Sequence, residues 1–585
     1  MIRLLKDFSR KDWTIAFIAF LLILAQVWLE LTMPDYMAEI TRLVETEGST
    51  MQEILTAGAK MLVCAVGSFG TAAICSVCFA YIGSGFAGRL RQKLFHKVQS
   101  FSPAEMGKFS TASLITRSTN DIMQVQMFLV MGLQMILRAP ITGIWAICKI
   151  STRQWEWLAV TGAAVVILLI LAAIVLIVAM PKFKKMQVLT DSLNRTAREN
   201  LSGLRVVRAY NAEHYQEEKF ASSNTALTKN TLFTQRAMAV MMPTIQMIMS
   251  GLSLAIYWIG AYLIDKATIS SRLTLFSDMM VFSQYAMQVV MSFMMLVVIF
   301  VLWPRASVAA QRIQEVVGTE TSIVNGTRQE GKPGKAGEVE FRNVRFQYPG
   351  AEEAVLDDIS FTVKKGETLA IIGATGCGKS TLINLIPRFY DATDGTVLVD
   401  GVDVKDYDEK ALRNKIGYIS QTASLFSGTL ADNIAFGDNG KEAPSRQEIQ
   451  QSAAIAQADE FIQNVENTYD GFVAQSGQNY SGGQKQRLSI ARALARKPEI
   501  LIFDDSFSAL DFKTDRKLRD ALKQNFDDTT RIIVAQRIGT IRDADQIIVL
   551  DEGRIAGKGT HDQLMKNCPV YQQIALSQLS RKELE

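Results

Sequence analysis

The chain has 585 residues, of which 48% are hydrophobic and 21% charged, with a formal net charge of +4. A mean hydropathy of +0.12 excludes a disordered or low-complexity chain and points to membrane segments. So small a net charge gives no reason to expect nucleic acid as a partner.

The first 310 or so residues are dominated by apolar runs long enough to cross a bilayer, which takes about 20 helical residues. Six spans are predicted: Trp13–Met33, Thr56–Gly83, Val125–Ile147, Trp155–Met180, Ala237–Ile264 and Leu275–Trp303. The first is too long, and lacks the small-residue cleavage site, to be a signal peptide. Cys64, Cys75, Cys78 and Cys148 lie in these apolar runs. Too few cysteines are present for a disulfide framework, and no second ligand pair follows Cys75 and Cys78, so they read as packed thiols.

Basic residues orient the spans. The stub with Arg3, Lys6, Arg10 and Lys11, together with segments Phe86–Val125 and Pro181–Arg236, carries twenty Lys and Arg. The opposite loops carry five: Arg42, Lys149, Arg153, Lys266 and Arg272. This places the N-terminus and both long loops in the cytoplasm, and six spans return the C-terminus there. Both loops read as continuations of the membrane helices.

Polar residues recur at helical spacing inside three spans. One face carries Gln134, Arg138 and Thr142, another Gln246, Ser250, Ser253 and Tyr257, and a third Gln284, Gln288, Ser292 and Met295. Polar groups at membrane depth must face protein or water, so these faces are candidates for a substrate cavity. Hydrogen bonding between helices fits the same pattern. Methionines crowd the sixth span, among them Met291 and Met295. Such flexible, polarisable side chains suit a surface that accepts many ligand shapes, although any single one serves equally as apolar filler.

Thr319–Gly337 has the Gly, Pro and charge content of a linker. Beyond it, β-rich runs alternate with helical ones, as in an α/β domain. Thr368–Ile372 reads as a buried strand running into Gly373, Ala374, Thr375, Gly376, Cys377, Gly378, Lys379 and Ser380, with Thr381 continuing into a helix. That is the P-loop pattern in its strand–loop–helix setting. Its glycines let backbone N–H groups close around phosphates, Lys379 supplies a point charge, and the Ser380 hydroxyl suits Mg²⁺. Leu501–Phe503 leads into Asp504 and Asp505; Asp504, at the end of an apolar strand, is the expected second Mg²⁺ partner.

Ser481, Gly482, Gly483 and Gln484 open a basic helix. This turn resembles the signature motif of ABC-type ATPases, and the resemblance extends over the whole C-terminal domain. It implies that Tyr348 stacks on adenine, that Gln421 contacts Mg²⁺ and water, and that Asp511 lies in the loop coupling two nucleotide sites. With six spans ahead of it, the chain resembles one half of an ABC exporter. Ser102–Asp121 and Arg208–Glu213 resemble that family's cytoplasmic loops, whose short transverse helices touch the nucleotide domains. The fold class expected is a multidomain membrane protein: a six-helix transmembrane domain over 1–318, a linker over 319–337, and an α/β P-loop ABC nucleotide-binding domain over 338–585. No additional domain precedes the first span, which favours drug or lipid export over the peptidase-linked export of peptides.

The signature is nearly intact, with Tyr480 where the family usually has Leu, but two positions of the nucleotide site depart from the family pattern. The family's general base after the Mg²⁺-binding Asp is Glu; here it is Asp505, whose shorter side chain withdraws the carboxylate by about 1.5 Å, enough to impair a catalytic hydrogen bond. Gln536 stands where the family has a His that contacts the γ-phosphate, and an amide carries no charge at any pH. None of the chain's three histidines is near this motif; His214 and His561 sit in polar stretches and are expected at the surface.

In the family, each ATP lies between one chain's P-loop and the other chain's signature. An intact signature beside a degraded base therefore predicts a heterodimer. This chain resembles the degenerate-site subunit of bacterial heterodimeric multidrug exporters. The resemblance implies ATP and Mg²⁺ as cofactors, a second, different half-transporter with an intact Glu and His as partner, and an amphipathic substrate, drug or lipid, in a bacterial plasma membrane. A homodimeric flippase with slow ATPase and a nucleotide-gated channel are the alternatives.

Overall fold

The computed structural model describes residues 7–46 and 48–578. Arg3 and Lys6 of the basic stub lie outside the described residues. Contacts divide the chain into two units: residues 1–99 with 111–318, and residues 100–110 with 319–585.

In the first unit, each predicted span lies inside a longer helix. The helices are α1 (Arg10–Glu45), α2 (Met51–Gln99), α4 (Thr111–Ser151), α5 (Trp155–Ser202), α7 (Glu213–Lys266) and α8 (Ile269–Val317), with short α6 (Leu204–Ala209) between α5 and α7; short α3 (Pro103–Lys108), between α2 and α4 in the chain, belongs to the second unit. All six long helices are apolar enough to cross a membrane. At about 1.5 Å per residue, the 49 residues of α2 reach far beyond a hydrocarbon core of about 30 Å, so α2 continues past its span, as expected of the long loops. Ser9 starts α1 by exchanging backbone and side-chain hydrogen bonds with Asp12, a capping box that satisfies N–H groups the helix leaves open. In α4, π-helical turns interrupt the α-helix at Arg117–Asp121 and Phe128–Gly132.

Burial follows helical spacing. Ala19, Ile23, Val27 and Leu31 make one stripe of α1, which joins Cys75 and Phe79 of α2 and Phe282, Tyr285 and Val289 of α8 in a single cluster. Gly143 of α4 permits a close approach to α8, since a Cβ there would lie 2.7 Å from Ser292 Oγ.

The second unit holds two sheets. Strands β1 (Val339–Phe346), β2 (Leu356–Val363), β4 (Asp394–Val399) and β5 (Val402–Asp403) form an antiparallel sheet ordered β2-β1-β4-β5. The larger sheet uses β3 (Thr368–Gly373), β6 (Ile416–Ile419), β9 (Ile500–Asp504), β10 (Thr530–Val534), β11 (Gln546–Asp551) and β12 (Arg554–Gly559), in the order β12-β11-β3-β10-β9-β6. Short β7 (Gly428–Thr429) and β8 (Phe472–Val473) pair separately. Strands β11, β3, β10, β9 and β6 run parallel. Alternate residues of β9 enter different hydrophobic clusters: Leu501 and Phe503 enter one, Ile500 and Ile502 the other. Both faces are therefore covered, as a parallel sheet requires.

The segment over 319–337 lies along its own domain: Gly326, Thr327 and Arg328 hydrogen-bond to the Asp406–Tyr407 backbone, and Lys332 N donates to Asp400 O. His561 is a correction: it is 4% exposed, and its Nδ1 lies 2.7 Å from the Tyr571 hydroxyl. Packing at the start of its short helix overrides the polarity of its sequence neighbours. His214 is exposed, as expected.

Candidate active site

The larger sheet assembles the site because neighbouring parallel strands end together. After β3 comes the P-loop, which runs into α9 (Lys379–Asn384); after β10, Gln536; at the end of β9, Asp504 and Asp505; after β6, Gln421. Adjacent C-terminal strand ends form the crevice in which open α/β sheets bind ligands.

The P-loop turns through glycines that other residues could not replace without strain: Gly376 and Gly378 have φ of +90° and +97°, a region that an L side chain rarely adopts. Lys379 Nζ donates to the carbonyls of Gly373 and Ala374 at 2.8 and 2.7 Å, which keeps its charge over the loop. The Cys377 thiol is buried, with Sγ 3.7 Å from Lys379 Nζ. Ser380 Oγ donates to Asp504 Oδ1 at 2.8 Å. Ser380 and Asp504 thus offer a hydroxyl and a carboxylate at one place, the hard oxygen donors that Mg²⁺ selects; the Gln421 amide lies against the adjacent Asp505. Burial pushes the Asp504 carboxyl above its ordinary range, partly offset by hydrogen bonds from Ser380 and Tyr418. A bound divalent cation would reverse that balance.

Asp505 has φ of +48°, a left-handed conformation that Asp tolerates better than most residues. Its Oδ2 accepts from Gln536 Nε2 at 2.7 Å and from Gln421 Nε2 at 3.3 Å. Burial pushes its carboxyl upward; the Gln421 hydrogen bond opposes that, and the neighbouring Asp504 charge adds to it. Tyr348 lies beside the loop, its hydroxyl 2.9 Å from Thr381 Oγ1 and its ring edge-on to Phe346 and Tyr390. Sequence reading gave no sign of that tether or of the aromatic cluster behind it.

Ser481 caps α10 (Gly482–Ala495) through a capping box with Gln484. Gly483 approaches the next loop closely, its would-be Cβ 3.2 Å from Ala509 O. Asp511 caps α11 (Phe512–Asn525), accepting from Thr514 N at 3.0 Å. Thus Ser481 and Asp511 each stand at the start of a helix. Ala374, Thr375, Gly376 and Gly378 lie in the P-loop itself.

The membrane faces divide differently. Gln246, Ser250, Tyr257, Gln284 and Met291 are exposed on their unit, and Gln134, Gln288 and Met295 are half-buried. Arg138 is not available as a lone cation, because Nη2 donates to both Glu30 oxygens at 3.0 and 2.8 Å. Gln26 and Ser68 donate to the same carboxylate. The partner was missed because Glu30 lies 108 positions away at the end of another span. Lys149 is likewise paired with Asp35, which also accepts from Tyr285 OH, and Arg153 is paired with Asp278.

Family profiles described as ABC transporter transmembrane region and ABC transporter match residues 16–293 and 356–508. An uncharacterized ABC transporter ATP-binding protein of Mycobacterium tuberculosis is 38% identical over 99% of this chain and 98% of its own length. An uncharacterized ABC transporter ATP-binding protein of Bacillus subtilis is 36% identical over 98% and 97%. An ATP-dependent lipid A-core flippase of Pseudomonas fluorescens is 33% identical over 84% and 80%. A bacterial Atm1-family ABC exporter solved with ATP bound shares the fold, with a TM-score of 0.79, 24% identity, and coverage of 97% of this chain and 98% of that one.

Proposed function

The chain belongs to the ABC transporter family, and from that premise we propose that it is the slow-site half of a heterodimeric exporter in a bacterial plasma membrane. A membrane domain over 1–318, a linker over 319–337 and an ATPase domain over 338–585 divide its labour, with the N-terminus and the ATPase domain in the cytoplasm. Its P-loop, from Gly373 to Thr381, holds ATP, Tyr348 packs on the adenine, and Ser380, Gln421 and Asp504 hold Mg²⁺. Ser481, Gly482, Gly483, Gln484 and Asp511 serve the partner's site, where an intact Glu and His turn over ATP.

One observation carries this reading. The Asp505 oxygen that would polarise the attacking water accepts instead from two side-chain amides, one of them at 2.7 Å. A carboxylate so engaged on a shortened side chain is a poor general base, and Gln536 brings no charge to the γ-phosphate. ATP held but seldom cleaved acts as a hinge, keeping this pair of domain surfaces engaged while the other site cycles.

The substrate follows from the membrane faces. With Arg138 committed to Glu30, the candidate cavity residues Gln134, Gln246, Ser250, Tyr257, Gln284, Gln288, Met291 and Met295 offer amides, hydroxyls and thioethers without an unpaired charge among them. That suits amphipathic drugs and weakly charged lipids. The similarity to lipid A-core flippases supports a second reading, a lipid flippase built from two copies of this chain.

The experiment is ATP-dependent uptake of a fluorescent amphiphile into inside-out vesicles carrying this chain with a candidate partner half-transporter from the same genome. Accumulation against a gradient supports export. Passive flux on ATP binding, without accumulation, replaces the pump by a nucleotide-gated channel, and equal transport by this chain alone replaces the heterodimer by the two-copy flippase.

A further inference from the structure

We propose that Gln578 is a positioning residue that sets the Gln536 loop from the far end of the domain. Gln578 ends α14 (Pro569–Gln578), the helix that follows α13 (His561–Asn567). Its side-chain Nε2 donates to the Gln536 carbonyl at 2.6 Å, and its Oε1 accepts from Ile538 N at 2.9 Å. Both ends of one amide are thereby spent on a single loop, a two-point clamp that uses its one carbonyl acceptor and one of its N–H donors.

The loop needs such a clamp. It leaves β10 and turns at once into α12 (Ile538–Ile541), whose N-cap, Arg537, supplies no side-chain hydrogen bond. The first N–H groups of a helix have no partner within the helix, and Gln578 supplies one from outside. The clamp is also firmly mounted. Tyr571 and Ala575 are fully buried, and with Gln578 they are spaced to lie on one face of α14. The Tyr571 hydroxyl is tied to the buried His561. From this anchorage the chain of contacts runs through Gln578 and Gln536 to Asp505 Oδ2. Displacing the clamp frees the loop that presents Gln536, while the P-loop, borne by β3, keeps its own supports.

The inference rests on Gln536 facing the γ-phosphate, and its test separates that premise from the slow-site reading. Binding of ATPγS and of ADP, each with Mg²⁺, is measured on the full-length chain in nanodiscs. Gln578→Ala is expected to weaken ATPγS by about fivefold, the worth of one or two ordinary hydrogen bonds, and to leave ADP and the thermal midpoint unchanged. Gln578→Glu keeps the acceptor for Ile538 N but cannot donate to the Gln536 carbonyl, and shows the same selectivity. On a Gln536→Ala background, Gln578→Ala adds nothing. An equal loss for ADP and ATPγS, or an additive loss on that background, would overturn the proposal in favour of a merely structural contact. A Gln536→Ala variant with undiminished ATPγS affinity would overturn it by removing its premise. Turnover does not enter these readouts, so rapid hydrolysis by this chain would contradict the slow site and leave the clamp standing.

Discussion

Both units pair charges internally, but only the nucleotide unit also gathers polar groups at one set of strand ends. In the membrane unit, charges are consumed internally: Glu30 takes Arg138, Asp35 takes Lys149 and Tyr285, and Asp278 takes Arg153. In the nucleotide unit, polar groups gather at the strand ends: Ser380 bonds to Asp504, and Gln421 and Gln536 both bond to Asp505. The difference teaches where chemistry resides. Within the predicted spans no water solvates a stray charge, which is why Arg138 is paired with Glu30 there. At the strand ends a ligand's charge can complete what the protein leaves open.

The largest effect should come from the nucleotide side. Lys379→Ala should weaken ATP binding by about a hundredfold, since a charged donor to phosphate is lost; equilibrium binding on the full chain measures it, and an unchanged affinity would show that the loop does not hold nucleotide. Next comes the membrane pair. Glu30→Gln leaves the Arg138 charge behind and should cost about 2 kcal/mol of stability, less than for a wholly buried pair because this one is partly open. Adding Arg138→Gln should recover part of the thermal midpoint. If the double variant is less stable than the single one, the pair is not what makes Glu30 costly to replace.

A smaller change should follow repair of the altered half of the nucleotide site. Asp505→Glu with Gln536→His should raise turnover at this site by about tenfold, read as ATPase in a heterodimer whose partner site is disabled. No gain would shift the limitation elsewhere, for example to the partner's signature.

The smallest effect concerns α3. Burial pushes the Glu105 carboxyl up, but hydrogen bonds from Ser102 and Ser322 outweigh it and hold the group below its ordinary value. A lowered value means that Glu105 contributes stability above the ordinary carboxylate range and loses it as pH falls through its own. Glu105→Gln should therefore cost about 1 kcal/mol at neutral pH, with the gap closing below about pH 4. Thermal melts at both pH values decide it; a gap that persists in acid would remove the charge from the explanation.

Much of this was legible in the sequence because it is local. Apolar runs mark the six helices, and glycine spacing after a strand marks the P-loop. What stayed hidden depends on distant residues meeting. Arg138 and Glu30 stand 108 positions apart, and only the packing of α4 on α1 brings them together. The composition of 319–337 does not show that its backbone pairs with Asp400 and Asp406. His561 sits among polar neighbours, but Tyr571 covers it. The π turns of α4 have no compositional mark. The altered residues Asp505 and Gln536 were visible by position; that they bond to each other at 2.7 Å was not, because β9 and β10 become neighbours only in the folded sheet.

The central claim is that this chain binds ATP but turns it over slowly without a different partner. It is tested most directly by ATPase activity of the purified full-length chain in nanodiscs, alone and together with a candidate partner half-transporter that keeps the Glu and His. The account predicts near-background activity alone and a large rise in the pair, abolished when the partner's own general base is neutralised. Vigorous hydrolysis by this chain alone would contradict it.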